Sequence, residues 1–198
     1  MTLKLNGSTA GSVSIDAPAD TSPTGTDVTL TLPTSAGSSG QYLQTNGSGV
    51  LSWAGAGKIL QVVQGTASTL VSITTTTLTD SGLSASITPA SSSNKILVLV
   101  SQNFSIYRTD PFAKGDIQLL RGSTVIQDER IESTCQDHAT YGNMMTTMVS
   151  FSYLDSPATT SSVTYKTQGA PQYTSNGGSV SFQRNNDLST ITLLEVEA

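Results

Sequence analysis

The side chains best suited to catalysis are few, and they are not spaced for a shared reaction. His138 is the only histidine among the 198 residues, and a Ser-His-Asp arrangement would need it, with Asp137 adjacent in sequence. No Gly-x-Ser-x-Gly turn accompanies it, and adjacent side chains on a strand point to opposite faces. Cys135 is the single cysteine, so neither a disulfide framework nor a multi-cysteine metal site is expected. We predict a non-enzymatic protein with His138 in a surface loop.

The acidic residues also give no specific sign of chemistry. The segment 128–132 contains Asp128, Glu129 and Glu132, but it does not have the glycine-containing spacing of a calcium loop. Arg130 is expected to pair with a neighbouring acid. A glycosidase needs two carboxylates ~5–10 Å apart, and fourteen acidic residues make some such pair nearly unavoidable. We predict no metal, no cofactor and no polysaccharide cleavage, although an ion shared on a trimer axis stays open.

Three segments are better suited to binding, because they mix aromatic rings with planar polar groups and loops often carry such function. They span residues 107–112, 137–141 and 171–176. The alternative is that they are ordinary loops whose rings pack against the domain or a neighbouring chain. The candidate receptor-binding residues are Tyr107, Arg108, Asp110, Phe112, His138, Tyr141, Tyr173 and Asn176.

Charge and hydropathy exclude several classes of partner. The net charge is −5 with only nine basic residues, so no basic stripe is available for a phosphate backbone. The N-terminus has no basic flank followed by an apolar run, and the longest apolar run, 96–100, is too short to span a bilayer. We therefore expect a soluble protein made in a cytosol, with no nucleic-acid partner and no membrane insertion.

The elements that position these loops are predicted to be strands. Charged residues are only 12% of the chain, and β-branched residues and glycine are abundant, which favours strands and turns. Residues 58–198 are predicted to form a β-sandwich head that resembles a jelly roll. Residues 95–106 are apolar on both faces, so we expect a second sheet or a neighbouring subunit to cover each face. The predicted strands are 58–64, 70–78, 83–88, 95–106, 116–121, 124–132, 144–154, 163–168, 179–185 and 190–197.

Residues 1–57 form a separate, thinner region. Short alternating apolar patches predict strands, and Asn46-Gly47 between 41–44 and 50–53 predicts a hairpin. Ordering a residue costs ~1–2 kcal/mol, whereas burying a large apolar side chain returns only ~1.5–3 kcal/mol. We therefore expect copies of this stem to share one core, with a disordered tail as the alternative. The candidate core residues are Val13, Ile15, Val28, Leu30, Leu32, Leu43, Leu51 and Trp53.

The stretch 37–53, Gly-Ser-Ser-Gly-Gln-Tyr-Leu-Gln-Thr-Asn-Gly-Ser-Gly-Val-Leu-Ser-Trp, resembles a module of tail-fibre and virion-fibre proteins of tailed phages, especially marine and cyanobacterial ones. The segments 30–34, 59–63, 119–124 and 153–160 resemble parts of the same module and of the head domain that follows it. The resemblance implies a homotrimeric, all-β fibre or spike with an intertwined N-terminal stem and a jelly-roll-like head. It carries no catalytic residues.

These observations together predict a structural protein of the virion, assembled in the host cytoplasm. The stem would attach to other virion proteins, and the head would bind a host surface glycan or protein through several linked copies. The alternatives are a capsid decoration, head fibre or connector that binds only virion proteins, and, least favoured, a polysaccharide depolymerase.

Overall fold

The computed structural model describes residues 3–6, 12–15, 27–55, 58–134 and 142–198. The chain divides into two compact units, Met1–Gly57 and Lys58–Ala198. Within the described residues every regular element is a strand apart from two short 3-10 turns, Ser175–Gly177 and Arg184–Asn186. The all-β prediction is therefore confirmed. None of these residues lies in a helix with the length and apolarity needed to cross a membrane.

The described residues of the first unit form two antiparallel pairs of strands. Strands β1 (Leu3–Asn6) and β2 (Ser12–Ile15) form one, and β3 (Gln41–Thr45) and β4 (Leu51–Gly55) form the other. The predicted hairpin at 41–53 is thus confirmed. Its turn uses positive φ at Gly47 and Gly49, whereas the side-chain oxygen of Asn46 accepts the amides of Ser48 and Val50.

The strand expected at 28–32 is wrong in its extent. Only Thr31 is paired there, through an isolated parallel bridge to Val50 with hydrogen bonds of 2.8 Å to Gly49 and from Leu51. Only one bridge forms because this segment lies beside the turn of the β3–β4 hairpin and does not run along either of its strands. No residue of 27–55 is buried.

The described residues of the second unit form ten strands, which match the predicted number and order. They are β5 (Ile59–Ala67), β6 (Val71–Ile73), β7 (Thr79–Ile87), β8 (Lys95–Arg108), β9 (Phe112–Arg121), β10 (Thr124–Thr134), β11 (Asn143–Asp155), β12 (Val163–Pro171), β13 (Ser179–Phe182) and β14 (Ser189–Val196). The predicted strand 70–78 is wrong beyond residue 73, because its only ladder partner is the four-residue strand β13.

Two antiparallel sheets are built from these strands. One has the order β10-β9-β12-β7. In the other, the long strand β8 pairs with β11 along one edge and with β14 and then β13 along the other, and β5 and β6 lie outside β14 and β13. We refer to them as the four-stranded and the six-stranded sheet.

Alternating apolar side chains from both sheets form one core. In β8, Ile96, Val98 and Val100 are buried, and they pack with Ile117 and Leu119 from the four-stranded sheet. The predicted inward face of β11 is confirmed, with Val149 and Phe151 buried and the intervening residues exposed. This packing makes the unit a β-sandwich.

A buried carboxylate inside the sandwich is held by hydrogen bonds from two neighbouring strands. Asp155, at the end of β11, accepts hydrogen bonds from Arg121 at 2.9 Å and from the Tyr165 hydroxyl at 2.7 Å. Burial, followed by this bond to Asp155, raises the pKa of Tyr165. The tyrosine therefore stays neutral and acts as a donor, because a buried phenolate beside a carboxylate would be strongly disfavoured.

Candidate functional site

Two of the loops predicted to bind a receptor meet at one end of the sandwich. Strand β8 pairs with β13 and β9 pairs with β12, so the β8–β9 connection lies beside the β12–β13 connection. Thr109 donates to the carbonyl of Asn176 from both its amide, at 2.9 Å, and its hydroxyl, at 2.7 Å. We call the assembled set the loop cluster, which consists of Tyr107, Arg108, Asp110, Phe112, Tyr173 and Asn176.

Arg108 holds the loop cluster together. Its guanidinium donates to the Ser175 carbonyl at 3.2 Å, the Ser175 hydroxyl at 2.8 Å and the Phe112 carbonyl at 3.2 Å. It also lies over the Tyr173 ring, 4.6 Å from the ring centroid, a cation–π contact. The side chain is only 12% exposed. Arg108 therefore positions the two loops and has little surface left for a ligand.

Both carboxylate oxygens of Asp110 are likewise engaged by groups within the loop cluster. One carboxylate oxygen lies 3.3 Å from the Arg108 guanidinium and accepts from Asn176 at 3.1 Å, while the other accepts the Phe112 amide at 3.3 Å. The opposite charges neutralise each other inside the cluster. The exposed members of the cluster are Asn176 and two aromatic residues, with Phe112 53% exposed and Tyr173 44% exposed. The cluster can offer rings for stacking but no free charge.

Tyr107 marks the boundary of this cluster. A Cβ atom at Gly142 would lie 2.8 Å from the Tyr107 ring, so the ring packs tightly on the segment before β11. His138 and Tyr141, the other two receptor-binding candidates, lie outside the described residues, as does Cys135. The described chain reaches Thr134, which pairs with Phe112, and resumes at Gly142.

Of the acidic residues considered for chemistry, Asp128 and Glu132 share the outer face of the four-stranded sheet with Gln118 and Lys114, whereas Glu129 is aligned with the inward residue Ile117 on the exposed edge strand β10. Arg130 pairs with Asp116 at 3.0 Å, as expected of a neighbouring acid, and Glu132 pairs with Lys114 at 2.9 Å. In the described parts of the chain, no three His, Cys, Asp or Glu side chains lie close enough together to hold a metal ion. This face carries paired charges and is suited to solvent.

Four of the candidate core residues of the stem, those in the segment 28–32 and Leu43, are exposed in a single chain. Val28, Leu30 and Leu32 are 63%, 59% and 67% exposed. Trp53 is half-buried, and its indole donates to the Ser35 carbonyl at 2.8 Å. Leu43 is 43% exposed, and Leu51 is half-buried. Val13 and Ile15 lie in β2, paired with Leu5 and Leu3.

A second surface lies on the outer side of the six-stranded sheet, where the sequence indicated a second apolar face of strand 95–106 through Leu97 and Leu99; its extension over neighbouring strands was not predicted. Both leucines point outward from the six-stranded sheet. The register aligns four apolar residues across four neighbouring strands, in the order Val62, Leu194, Leu97 and Leu154. Leu60, Leu99 and Val196 surround this row. We call the seven residues the apolar face.

The apolar face is uncharged as well as exposed. Val62 is 58% exposed, Leu154 is 50% exposed and Leu99 is 40% exposed. From Leu97 to Tyr107 in β8, and along its neighbours β5, β14 and β11, every outward side chain is neutral. Four strands ~4.8 Å apart, with apolar residues at 60–62, 194–196, 97–99 and 154, give the apolar face a size of roughly 20 by 10 Å. Neutral hydroxyl and amide side chains continue this surface along the strands, and an exposed apolar patch rimmed by polar residues is typical of an interaction site.

Comparison with known proteins identifies no family. No protein-family model matches the sequence, and no curated protein matches it. Among solved structures, an insecticidal delta-endotoxin of Bacillus thuringiensis matches 65% of this chain with 14% identity and a TM-score of 0.37. The VP2 subviral particle of infectious bursal disease virus matches 75% of it with 13% identity and a TM-score of 0.27. The chain spans only 20% and 40% of these two proteins.

Proposed function

We propose that this protein is a non-enzymatic structural subunit of a virion fibre or spike of a tailed phage, and that its copies associate as a homotrimer. The observation that carries the proposal is the apolar face. An antiparallel sheet that faces water carries polar side chains on that side. The four-stranded sheet follows this rule with its ion pairs, whereas the part of the six-stranded sheet that carries the apolar face does not.

A second copy of the same chain is the partner that fits the apolar face best. The chain carries a net charge of −5, so most of its surface repels another copy. Two copies that meet through the apolar face bring no like charges together.

The stem supports the same proposal. Residues 27–55 have no buried side chain of their own, and three leucine or valine residues of the segment 28–32 are more than half exposed. If copies of the head associate, their stems are brought together at high local concentration. Val28, Leu30 and Leu32 then gain a shared core, as expected from the cost of ordering a thin segment.

The winding of the head supports a jelly roll. The strand orders β5-β14-β8-β11 and β10-β9-β12-β7 place consecutive strands mostly in opposite sheets. A double-sheet jelly roll with eight main strands is wound in this way. In the proposed fibre the loop cluster presents Phe112 and Tyr173 once per copy, which favours multivalent attachment to a host surface.

One observation favours a purely structural alternative, a capsid decoration or connector protein. Arg108 and Asp110 are satisfied within the chain, so the loop cluster offers no free charge to a receptor. The two roles differ in location, because a decoration protein has many copies on the capsid and an adhesin has few at the tail. Labelling Phe112→Cys protein assembled into particles would distinguish them by electron microscopy.

The association is tested by sedimentation of the purified chain and of Leu154→Glu. We expect the parent protein to sediment at about three times its mass of 20.5 kDa. Leu154→Glu places a charge in the apolar face and should shift the protein to single protomers. The matched control Ser84→Glu adds the same charge on the exposed outer side of β7 and should stay trimeric.

A parent protein that sediments as a folded single protomer would overturn the proposal. If Leu154→Glu loses its folded circular dichroism spectrum, Val62→Lys on the opposite edge strand replaces it in the same test. Equal sedimentation of the parent, Leu154→Glu and Val62→Lys would show that the apolar face is not the interface.

A further inference from the structure

A groove of about 630 Å³ lies on the outer side of the six-stranded sheet, at the end near Tyr107. It is about eight residues, or ~26 Å, along β8 from Leu97 in the apolar face. Ligand sites commonly have volumes of ~300–1,000 Å³. The lining residues that matter here are Tyr107, Met144, Ser181, Arg184, Asn185 and Asn186.

The floor of this groove is a row of small hydroxyl side chains. The register aligns Ser72, Ser181, Ser105 and Thr146 across β6, β13, β8 and β11. The Ser105 and Thr146 hydroxyls are hydrogen-bonded to each other. The groove therefore combines neutral hydroxyls, from Ser72, Ser105 and Ser181, with the exposed apolar side chains of Leu70 and Met144.

One wall is a turn held in an unusual backbone conformation. Gln183, Asn185 and Asn186 have φ values of 52°, 59° and 60°. Such conformations cost roughly 1–3 kcal/mol for residues with a side chain, less for Asn, and persist where the surroundings enforce them. Asn103 enforces this one, because its side-chain oxygen accepts the Arg184 amide at 2.9 Å and its side-chain nitrogen donates to Asp187 at 3.1 Å.

Arg184 brings a free positive charge to this wall. Five other cations of the unit, Arg108, Lys114, Arg121, Arg130 and Lys166, each lie within 3.3 Å of a carboxylate oxygen. Within the described part of the chain, the Arg184 guanidinium has no carboxylate or hydrogen-bond partner. Nor do the side-chain amides of Asn185 and Asn186 have one among those residues. The turn thus presents one guanidinium and two side-chain amides to solvent from a backbone that Asn103 holds in one conformation.

We propose that this groove binds a saccharide that carries a carboxylate. A guanidinium binds a carboxylate through two parallel hydrogen bonds, and amide and hydroxyl side chains match the hydroxyls of a sugar ring. Tyr107 supplies an aromatic surface. A single cation is too little for nucleic acid, and a lining that mixes apolar side chains with hydroxyls, amides and one guanidinium suits a ligand that carries both kinds of surface, as a sugar ring does. This inference rests on the proposed role in host attachment and gives it a ligand class.

The test is titration of the intact chain with an oligogalacturonate, with a neutral malto-oligosaccharide of equal length as the second probe. We expect the oligogalacturonate to bind more tightly than the neutral sugar. Arg184→Gln should weaken its binding at least tenfold. The control Lys95→Gln removes an exposed cation at the far end of β8 and should leave binding unchanged.

Asn185→Gly provides a second variant that preserves folding. Glycine adopts a φ of 59° without strain, so thermal stability should not fall, while loss of the amide should weaken binding of the oligogalacturonate. No binding to the parent protein, or equal losses in Arg184→Gln and Lys95→Gln, would overturn the inference.

Sedimentation of the same samples separates this inference from the proposed function. A trimer that binds no oligogalacturonate overturns the ligand site alone, whereas a binding-competent single protomer overturns the assembly alone. If Arg184→Gln changes the sedimentation of the protein and not its sugar binding, the groove is an interface between copies and the inference is wrong.

Discussion

Glu195 is a fully buried carboxylate in strand β14, which lies between β5 and β8 in the six-stranded sheet. It accepts hydrogen bonds from the Asn94 side chain at 2.6 Å, the Gln61 side chain and the Ala90 amide at 2.7 Å. Burial acts to raise the pKa of Glu195, but the hydrogen bonds outweigh it, so the pKa lies below its ordinary value of 4.5. The folded state therefore favours the ionised form.

Replacing Glu195 with Gln should lower the free energy of unfolding at pH 7 by roughly 1–3 kcal/mol, because donors that faced a carboxylate are left unsatisfied. A lowered folded-state pKa stabilises the fold above the unfolded pKa and ceases to do so as pH falls through the folded value. The difference between parent and variant should therefore shrink below about pH 4.5. Urea unfolding at pH 7 and pH 4, at one protein concentration, measures it. A difference that widens in acid would contradict this assignment.

At the scale of elements, the closest approach of the two sheets is at their edges, where β5 passes β7. A Cβ atom at Gly65 would lie 2.1 Å from the backbone oxygen of Ser84. Backbone cannot yield as a flexible side chain can, so only glycine fits this position. The Gln61 side chain also donates to the Thr88 carbonyl at 2.8 Å, which ties β5 to the end of the β7 segment.

Gly65→Ala should therefore destabilise the head by about 1–3 kcal/mol or more, the usual cost of overpacking. The control Gly55→Ala adds the same methyl group in β4. Apart from its chain neighbours, no atom lies within 4 Å of the added Cβ, so its effect should be small. Thermal unfolding by circular dichroism compares them. Equal melting temperatures for parent and Gly65→Ala would show that the sheet edges do not need this contact.

At the scale of the whole molecule, the outer surfaces of the two sheets of the sandwich differ in charge. The four-stranded sheet carries three ion pairs, Asp80–Lys166, Lys114–Glu132 and Asp116–Arg130, while the apolar face is neutral. Exposed ion pairs contribute little to stability, but they keep a surface hydrated. Because its ion pairs keep the four-stranded sheet hydrated, the proposed association between copies should bury the apolar face of the six-stranded sheet instead.

The proposed trimer should therefore not weaken with salt. Raising the ionic strength from 0.05 to 0.5 M screens the repulsion between acidic copies and leaves apolar contacts intact, so the dissociation constant should stay constant or fall. Sedimentation across a protein dilution series at both salt concentrations measures it. A trimer that dissociates in 0.5 M salt would indicate a charge-mediated interface and not the apolar face.

Local patterns in the sequence were sufficient for most of the elements. Alternating residues in 144–154 identified the inward face of β11, and Asn46-Gly47 and Arg121-Gly122-Ser123 identified two hairpin turns. These features depend on neighbouring residues only, because side chains of a strand alternate and turns need particular φ values. The segment 28–32 has the same alternation and nevertheless forms only one bridge, since a strand also requires a partner.

The candidate sites were decided by contacts between residues far apart in the chain. Arg108 and Asp110 are attractive binding residues by type, yet Ser175 and Asn176 occupy them. Val62, Leu97, Leu154 and Leu194 form a row only because four strands pair in one register. Arg184 forms no ion pair among the described residues because no carboxylate of those residues folds against it. The sequence by itself determined which strands and turns form, since those follow from local periodicity. The tertiary structure alone decided which charges are neutralised and which apolar faces remain open, since both depend on pairing across the whole chain.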